Sequence, residues 1–185
     1  FAAATSDTLE LEGETGVDGT SSAVHVAVAF FPPTDFLSVD AFVAANDLAM
    51  DPRLYPLDGP TSLVGLLIHC PTEGPSEGPP DMGALVSIQD CPDETEKADP
   101  ATYIDEAEVP IWLLHGLADR QVPYDQSQLL YDATVAEGNV AWLTLVPGAG
   151  HSVPEIIDAA QATTWVTDRD GRERDRRNAR QLARE

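Results

Sequence analysis

Basic residues are scarce in this sequence of 185 residues, which has 10 lysines and arginines against 32 aspartates and glutamates. Lys97 is the single lysine, and seven of the arginines fall within residues 168–185. The formal net charge is −22, because residues 168–185 are net positive by 2 and the rest of the chain carries −24. Such a surface repels phosphate groups, which argues against nucleic acids and anionic membranes as partners. Both a salt-adapted, halophilic-like protein and a merely acidic one fit this charge.

Long apolar runs and cysteines are also few. No run approaches the ~20 apolar residues of a membrane-spanning helix, so we expect no membrane span.

The two cysteines, Cys70 and Cys91, flank a stretch rich in proline and glycine. They would close that loop as a disulfide in an oxidising compartment, or remain as two free thiols. No set of histidines or acids surrounds them, so we expect no metal site and no cofactor.

One β-α-β unit is predicted in the second half of the chain. Residues 109–114 are a continuous apolar run, typical of a strand buried on both faces. Apolar residues at three- and four-residue steps predict a helix over Asp125–Ala136, and Gly138 ends it. Residues 140–146 predict a second buried strand. The unit as a whole indicates an α/β protein with parallel strands.

Two residues whose side chains can take part in acid–base chemistry follow these strands. Asp119 comes three residues after the glycine that ends the first strand, and a turn at residues 147–150 presents His151 after the second. Open α/β sheets place their sites at the carboxyl ends of parallel strands. We therefore expect the side chains of Asp119 and His151 to lie within hydrogen-bonding distance of each other.

The motifs around these residues resemble a known family. Residues 115–127 read H-G-x-x-D-x-x-V-P followed by Q-S, and residues 146–151 read V-P-G-A-G-H. Both resemble the C-terminal part of an α/β-hydrolase of the esterase/lipase branch, which includes acetyl- and feruloyl-esterase-like enzymes. The resemblance implies a partial α/β-hydrolase fold, with a mostly parallel sheet and helices on both faces. It also implies a triad in the chain order Ser, Asp, His, with Asp119 as the acid and His151 as the general base.

This resemblance implies a serine hydrolase that acts on carboxylic esters, with a small-molecule ester as its substrate. A histidine can take the proton of a serine hydroxyl near neutral pH, and an aspartate can fix its tautomer. Two alternatives remain open. The protein could be a serine peptidase of the prolyl-oligopeptidase type, or a non-catalytic hydrolase-like fragment or interaction module.

The nucleophile of such a triad is the missing residue. The family places its serine in G-x-S-x-G at a sharp turn from strand to helix. Gly74–Gly78 satisfies that pattern, but Pro79-Pro80 follows Ser76 where a helix should begin. We therefore reject Ser76 and match residues 1–5 to the helix after the elbow. This interpretation makes the chain the C-terminal part of a hydrolase that lacks its nucleophile elbow and is inactive by itself.

The remaining segments complete the predicted organisation. Residues 1–167 are expected to form the hydrolase part, in which residues 51–100 are an irregular insertion or a lid. Helical spacing predicts a helix over Val153–Val166. Residues 168–185 are almost wholly polar and are predicted to be a charged, disordered tail.

The first predicted strand, Ala23–Phe31, has a separate consequence. It is apolar enough to be buried, and Pro32 and Pro33 end it. The strands that should flank it on one side are not found in the sequence, so we expect an unpaired sheet edge that favours self-association. We interpret the other three histidines as structural residues: His25, His69 and His115.

Overall fold

The computed structural model describes residues 4–5, 23–70, 85–106, 109–160, 162–167 and 173–177. The strands in this part of the chain are β1 (Ala27–Phe30), β2 (Ile111–Gly116), β3 (Ala141–Val146), β4 (Thr163–Thr167) and β5 (Glu173–Arg177). The α-helices are α1 (Val39–Ala45), α2 (Leu63–Ile68), α3 (Pro92–Glu96), α4 (Asp125–Ala136) and α5 (Val153–Ile157). Short 3₁₀ turns lie at Ile88–Asp90 and Pro100–Tyr103.

The five strands form one sheet in the order β1-β2-β3-β4-β5. The first three strands are parallel, and β4 and β5 are antiparallel to their neighbours. The predicted β-α-β unit is present as β2, α4 and β3, and α4 has the predicted bounds. The prediction of an α/β fold is therefore confirmed, with parallel pairing in the half of the sheet that carries Asp119 and His151.

Helices cover both faces of the sheet, as predicted. On one face, α4 packs Leu130 and Tyr131 against buried residues of β2 and β3, including Leu113 and Leu143. On the other face, Ile156 of α5 is fully buried in a cluster with alternate residues of the same strands. Because side chains alternate across a strand, β2 and β3 bury side chains on both sides, which explains their mostly apolar sequences.

The first strand is shorter and more exposed than predicted. Only Ala27–Phe30 forms β1, and Val28 is 53% exposed. In the described part of the sheet, β1 lies at the edge and pairs with β2 alone. The prediction of a buried strand over Ala23–Phe31 is therefore wrong. The expected self-association through this edge stays a prediction.

The predicted helix over Val153–Val166 is wrong beyond its first turn. Helix α5 ends at Ile157, and Thr163–Thr167 forms β4, which pairs antiparallel with β3. Threonine and valine are branched at Cβ and fit a pleated strand better than a helix. Glu173–Arg177 also differs from the predicted disordered tail, because it pairs with β4 as β5. The other residues of that tail lie outside the described ranges.

Residues 51–70 and 85–100 are more regular than the predicted irregular insertion. They contain α2, α3 and the 3₁₀ turn at Ile88–Asp90, and Ile88 and Val64 pack in a small cluster with Val39 of α1. A disulfide joins Cys70 to Cys91, which resolves the alternative that the sequence left open. The role of this region as a lid stays a prediction. Ser76 lies outside the described residues.

Asp99 ties this region to the loop after β1. Its Oδ1 accepts a hydrogen bond from the backbone N–H of Phe36 at 3.0 Å, and the residue is 4% exposed. Burial raises the pKa of Asp99 to about 6; the N–H of Phe36 acts to lower it, and the charges of Asp35 and Glu96 raise it further. The folded protein therefore holds a proton that the unfolded chain releases between about pH 4 and about pH 6.

This proton makes stability depend on pH in a direction opposite to that of an ion-paired carboxylate. The contribution of Asp99 to the free energy of unfolding falls as the pH rises from about 4 to about 6. Asp99→Asn keeps the acceptor oxygen and stays neutral, so we expect it to stabilise the protein at pH 7 by about 1–3 kcal/mol. Urea unfolding at several pH values should show this gain vanishing near pH 4. The exposed Asp47→Asn is the control, and a gain independent of pH would contradict the prediction.

Candidate active site

The loops after β2 and β3 are joined by backbone hydrogen bonds. Strand pairing brings Gly116 beside Val146, and Leu117 N–H donates to the carbonyl of Val146 at 2.9 Å. One residue further on, Ala118 N–H donates to the carbonyl of Ala149 at 2.9 Å. The loop that carries Asp119 and the loop that carries His151 are therefore held directly against each other.

Gly116 makes this close contact between the loops feasible. A Cβ at this position would lie 2.6 Å from the carbonyl carbon of Ala149 and 2.7 Å from the carbonyl oxygen of Gly150. Both contacts are shorter than real Cβ atoms allow, and both involve backbone atoms that cannot rotate away. The glycine of the H-G-x-x-D motif is thus required by the crossing of the His151 loop over the end of β2.

Asp119 lies in a turn that uses both of its carboxylate oxygens. Its Oδ1 accepts hydrogen bonds from the backbone N–H groups of Gln121 at 2.8 Å and Val122 at 3.1 Å. Its Oδ2 lies 2.8 Å from Nδ1 of His151. An ionised carboxylate can only accept, so Nδ1 of His151 carries the proton of this bond. The expected hydrogen-bonding distance between Asp119 and His151 is therefore observed.

The surroundings of Asp119 keep it ionised although it is buried. Burial acts to raise its pKa, but hydrogen bonds from His115, from the N–H groups of Gln121 and Val122, and from His151 outweigh it. The pKa of Asp119 consequently lies below its ordinary value. A carboxylate that stays charged near neutral pH can orient an imidazole and stabilise it when it gains a proton.

His151 is placed by the tight turn after β3. Gly148 has a φ of 76°, which suits glycine, and the carboxylate Oε2 of Glu155 accepts the N–H of Gly150 at 2.7 Å. The His151 side chain is 26% exposed, whereas that of Asp119 is fully buried. Because Nδ1 is engaged by Asp119, Nε2 is the ring nitrogen available for proton transfer.

The side chain of His115 contacts the loop that carries Asp119. It is fully buried, and Nε2 lies 3.0 Å from the carbonyl oxygen of Val122. A carbonyl only accepts, so Nε2 carries the proton and Nδ1 accepts from the Ser127 hydroxyl at 2.7 Å. Nε2 is also 3.5 Å from Oδ2 of Asp119. The sequence suggests a structural histidine here, but not its position beside the acid.

Gln126 is a second supporting residue whose role the sequence did not reveal. It is fully buried, and its side-chain oxygen accepts the backbone N–H groups of Thr34 and Asp35, each at 2.9 Å. These hydrogen bonds connect the loop after β1 to the start of α4. The Q-S pair in the motif was the available signal, because a glutamine and a serine at the start of a packed helix need hydrogen-bonding partners when they are buried.

His25 and His69 lie on other segments of the chain, and Ser76 lies outside the described residues. His25 is exposed ahead of β1, and His69 ends α2 with a φ of 63°.

Within the described ranges, no group of three His, Cys, Asp or Glu side chains is arranged to hold a metal ion. None of the helices there combines the length and hydropathy needed to cross a membrane.

Comparison with known proteins supports the class of fold. Residues 57–134 match the BD-FAE family model, a range that includes Asp119 and ends before His151. A truncated form of a carbohydrate esterase from gut microbiota is 23% identical with a TM-score of 0.59, over 81% of this chain and 47% of that one. A bifunctional GH43-CE protein from Bacteroides eggerthii is 23% identical with a TM-score of 0.57, over 82% of this chain and 17% of that one. No curated protein sequence was found to match.

These similarities define the class to which the structure belongs. The chain has an α/β-hydrolase fold. The BD-FAE match confirms the predicted resemblance to the esterase branch of that fold. The chain spans about half of the length of the carbohydrate esterase and a smaller part of the bifunctional protein. The match begins at Leu57, so the segment predicted as an insertion shares residues with the family model.

Proposed function

We propose that this chain supplies the general base and the orienting acid of a serine hydrolase that cleaves carboxylic esters. The observation that carries the proposal is the 2.8 Å contact between Nδ1 of His151 and Oδ2 of Asp119. An exposed pair of this kind contributes little to the free energy of folding. Here the acid is buried, and two backbone N–H groups donate hydrogen bonds to its other oxygen. The partly exposed imidazole is therefore oriented by a fixed carboxylate.

In the proposed mechanism, Nε2 of His151 takes the proton of a serine hydroxyl as the hydroxyl oxygen attacks the ester carbonyl carbon. The same proton passes to the departing alcohol when the carbon–oxygen bond breaks. Asp119 keeps the proton on Nδ1 and stabilises the imidazolium that exists between these steps. A water molecule then repeats the sequence to release the acid from the serine ester.

We propose esters of small acyl groups on sugars or other small alcohols as the substrate class. The support is the resemblance of the motifs to acetyl- and feruloyl-esterase-like enzymes and the BD-FAE match. The similar structure from gut microbiota is that of a carbohydrate esterase. No feature of the described residues favours a peptide substrate over an ester.

The proposal requires a nucleophile, and a fluorophosphonate reagent can identify it without prior assumption. Such reagents react covalently with the activated serine of serine hydrolases, and the labelled peptide can be read by mass spectrometry. We expect the protein as its gene encodes it to be labelled on one serine. We expect the 185-residue chain to remain unlabelled, because the nucleophile is not found among its predicted motifs.

Two variants make this labelling experiment decisive. His151→Ala should abolish labelling, because the serine hydroxyl then has no base. His25→Ala removes an exposed histidine and should leave labelling unchanged. Labelling of Ser76 in the short chain would show that Gly74–Gly78 is the elbow. Labelling that does not depend on His151, or a gene product with no labelled serine, would favour the non-catalytic alternative.

A further inference from the structure

The ring of Phe31 packs against the imidazole of His151. The centroid of its ring lies 3.8 Å from the centroid of the imidazole, with an angle of 40° between the planes. The same ring approaches His115 edge-on at 6.3 Å. Phe31 therefore covers one face of the imidazole that Asp119 holds by its Nδ1 edge.

The backbone at Phe31 adopts an unusual conformation to make this contact. Its φ is 42°, in the left-handed region that a residue with a bulky side chain rarely occupies. It also precedes Pro32, and a following proline disfavours helical conformations. The N–H of Phe31 still donates to the carbonyl of Leu114 at 2.8 Å, so the chain turns immediately after the β1–β2 pairing. Backbone strain of this kind is often found at functional sites.

We infer that Phe31 is a positioning residue for the base His151, an inference that rests on the proposed function. The carboxylate of Asp119 fixes one edge of the imidazole but leaves rotation about that hydrogen bond. An aromatic ring packed on the imidazole face removes this freedom. Nε2 is then held in one direction, as proton transfer to and from a reacting group requires. Phe31 acts through His151 and is assigned no contact with the substrate.

Magnetic resonance of the 185-residue chain tests this contact without any need for catalysis. A proton above an aromatic face is shifted upfield, so the ring C–H signals of His151 should lie upfield of those of the exposed His25. Phe31→Leu should move the His151 signals towards those of His25. Phe31→Tyr, which keeps the ring, should restore them. The matched control is Phe30→Leu, which removes the neighbouring ring, 6.2 Å from that of Phe31.

Kinetics on the protein as its gene encodes it then test the consequence. We expect Phe31→Leu to lower kcat roughly 10- to 100-fold, the size of effect expected from slight misplacement of a catalytic group. KM should change little, and Phe31→Tyr and Phe30→Leu should retain most of the activity. His151 signals that match those of His25 in the unmodified chain, or that do not respond to Phe31→Leu, would overturn the inference. A failure of ester hydrolysis in every variant would instead count against the proposed function, since the resonance result stands apart from it.

Discussion

Asp119→Asn is expected to lower kcat/KM for ester hydrolysis by roughly 10⁴-fold. The asparagine oxygen can still accept the N–H groups of Gln121 and Val122, which already hold Oδ1. Its amide nitrogen would then face Nδ1 of His151 as a donor. The imidazole would have to accept there and carry its proton on Nε2, and this tautomer cannot take a proton from serine. The measurement is hydrolysis of p-nitrophenyl acetate by the protein as its gene encodes it.

The matched control for this variant is Asp132→Asn on the exposed face of α4, where the carboxylate accepts a hydrogen bond from the side chain of Gln128. We expect this control to keep full activity. Unfolding of both variants by urea should show that the loss of activity is not a loss of folded protein. Retention of more than about a tenth of the activity by folded Asp119→Asn would remove Asp119 from the triad, since acids in that role contribute far more.

Gly116→Ala is expected to affect both stability and activity. The added Cβ would meet the backbone of Ala149 and Gly150, so the loop that presents His151 must move away from β2. Overpacking of this kind typically destabilises by about 1–3 kcal/mol. Displacement of the base by a fraction of an ångström to an ångström should also lower kcat by roughly 10²-fold. Urea unfolding and ester hydrolysis measure the two effects.

Gly59→Ala is the matched control for this substitution. A Cβ at Gly59 meets no atom of the described residues within 4 Å, so the same chemical change should leave stability and activity near those of the unmodified protein. If Gly116→Ala behaved like Gly59→Ala, the loop crossing would not constrain His151 in the way the structure indicates.

The β-α-β unit could be predicted because its signals are local. The apolar runs of β2 and β3 are buried on both faces, and the helical spacing of α4 stops at Gly138, whose φ of 79° suits glycine. Once two parallel strands are recognised, the positions of Asp119 and His151 at their carboxyl ends follow from the topology. These inferences need only neighbours within a few residues and one general rule about sheets.

The remaining features depend on partners far away in the chain. Thr163–Thr167 carries spacing compatible with a helix, and it becomes a strand because β3 offers an edge to pair with. The hydrogen bonds from Thr34 to Gln126 join residues 92 positions apart. The contact between Phe31 and His151 likewise joins distant segments. A single sequence does not indicate which distant residues such side chains contact, because tertiary pairing decides them.

The bonds between the Asp119 loop and the His151 loop have a consequence for how such a site can be changed. The backbone hydrogen bonds that join the two loops, and the hydrogen bond between Asp119 and His151, lie within one stretch of chain from β2 to α5. The distance between the side chains of Asp119 and His151 is therefore set by contacts within this stretch. Segments that do not contact these two side chains can then vary while Asp119 and His151 keep their separation. Under the proposed function, variation of the substrate pocket is then separated from maintenance of the pair that transfers the proton.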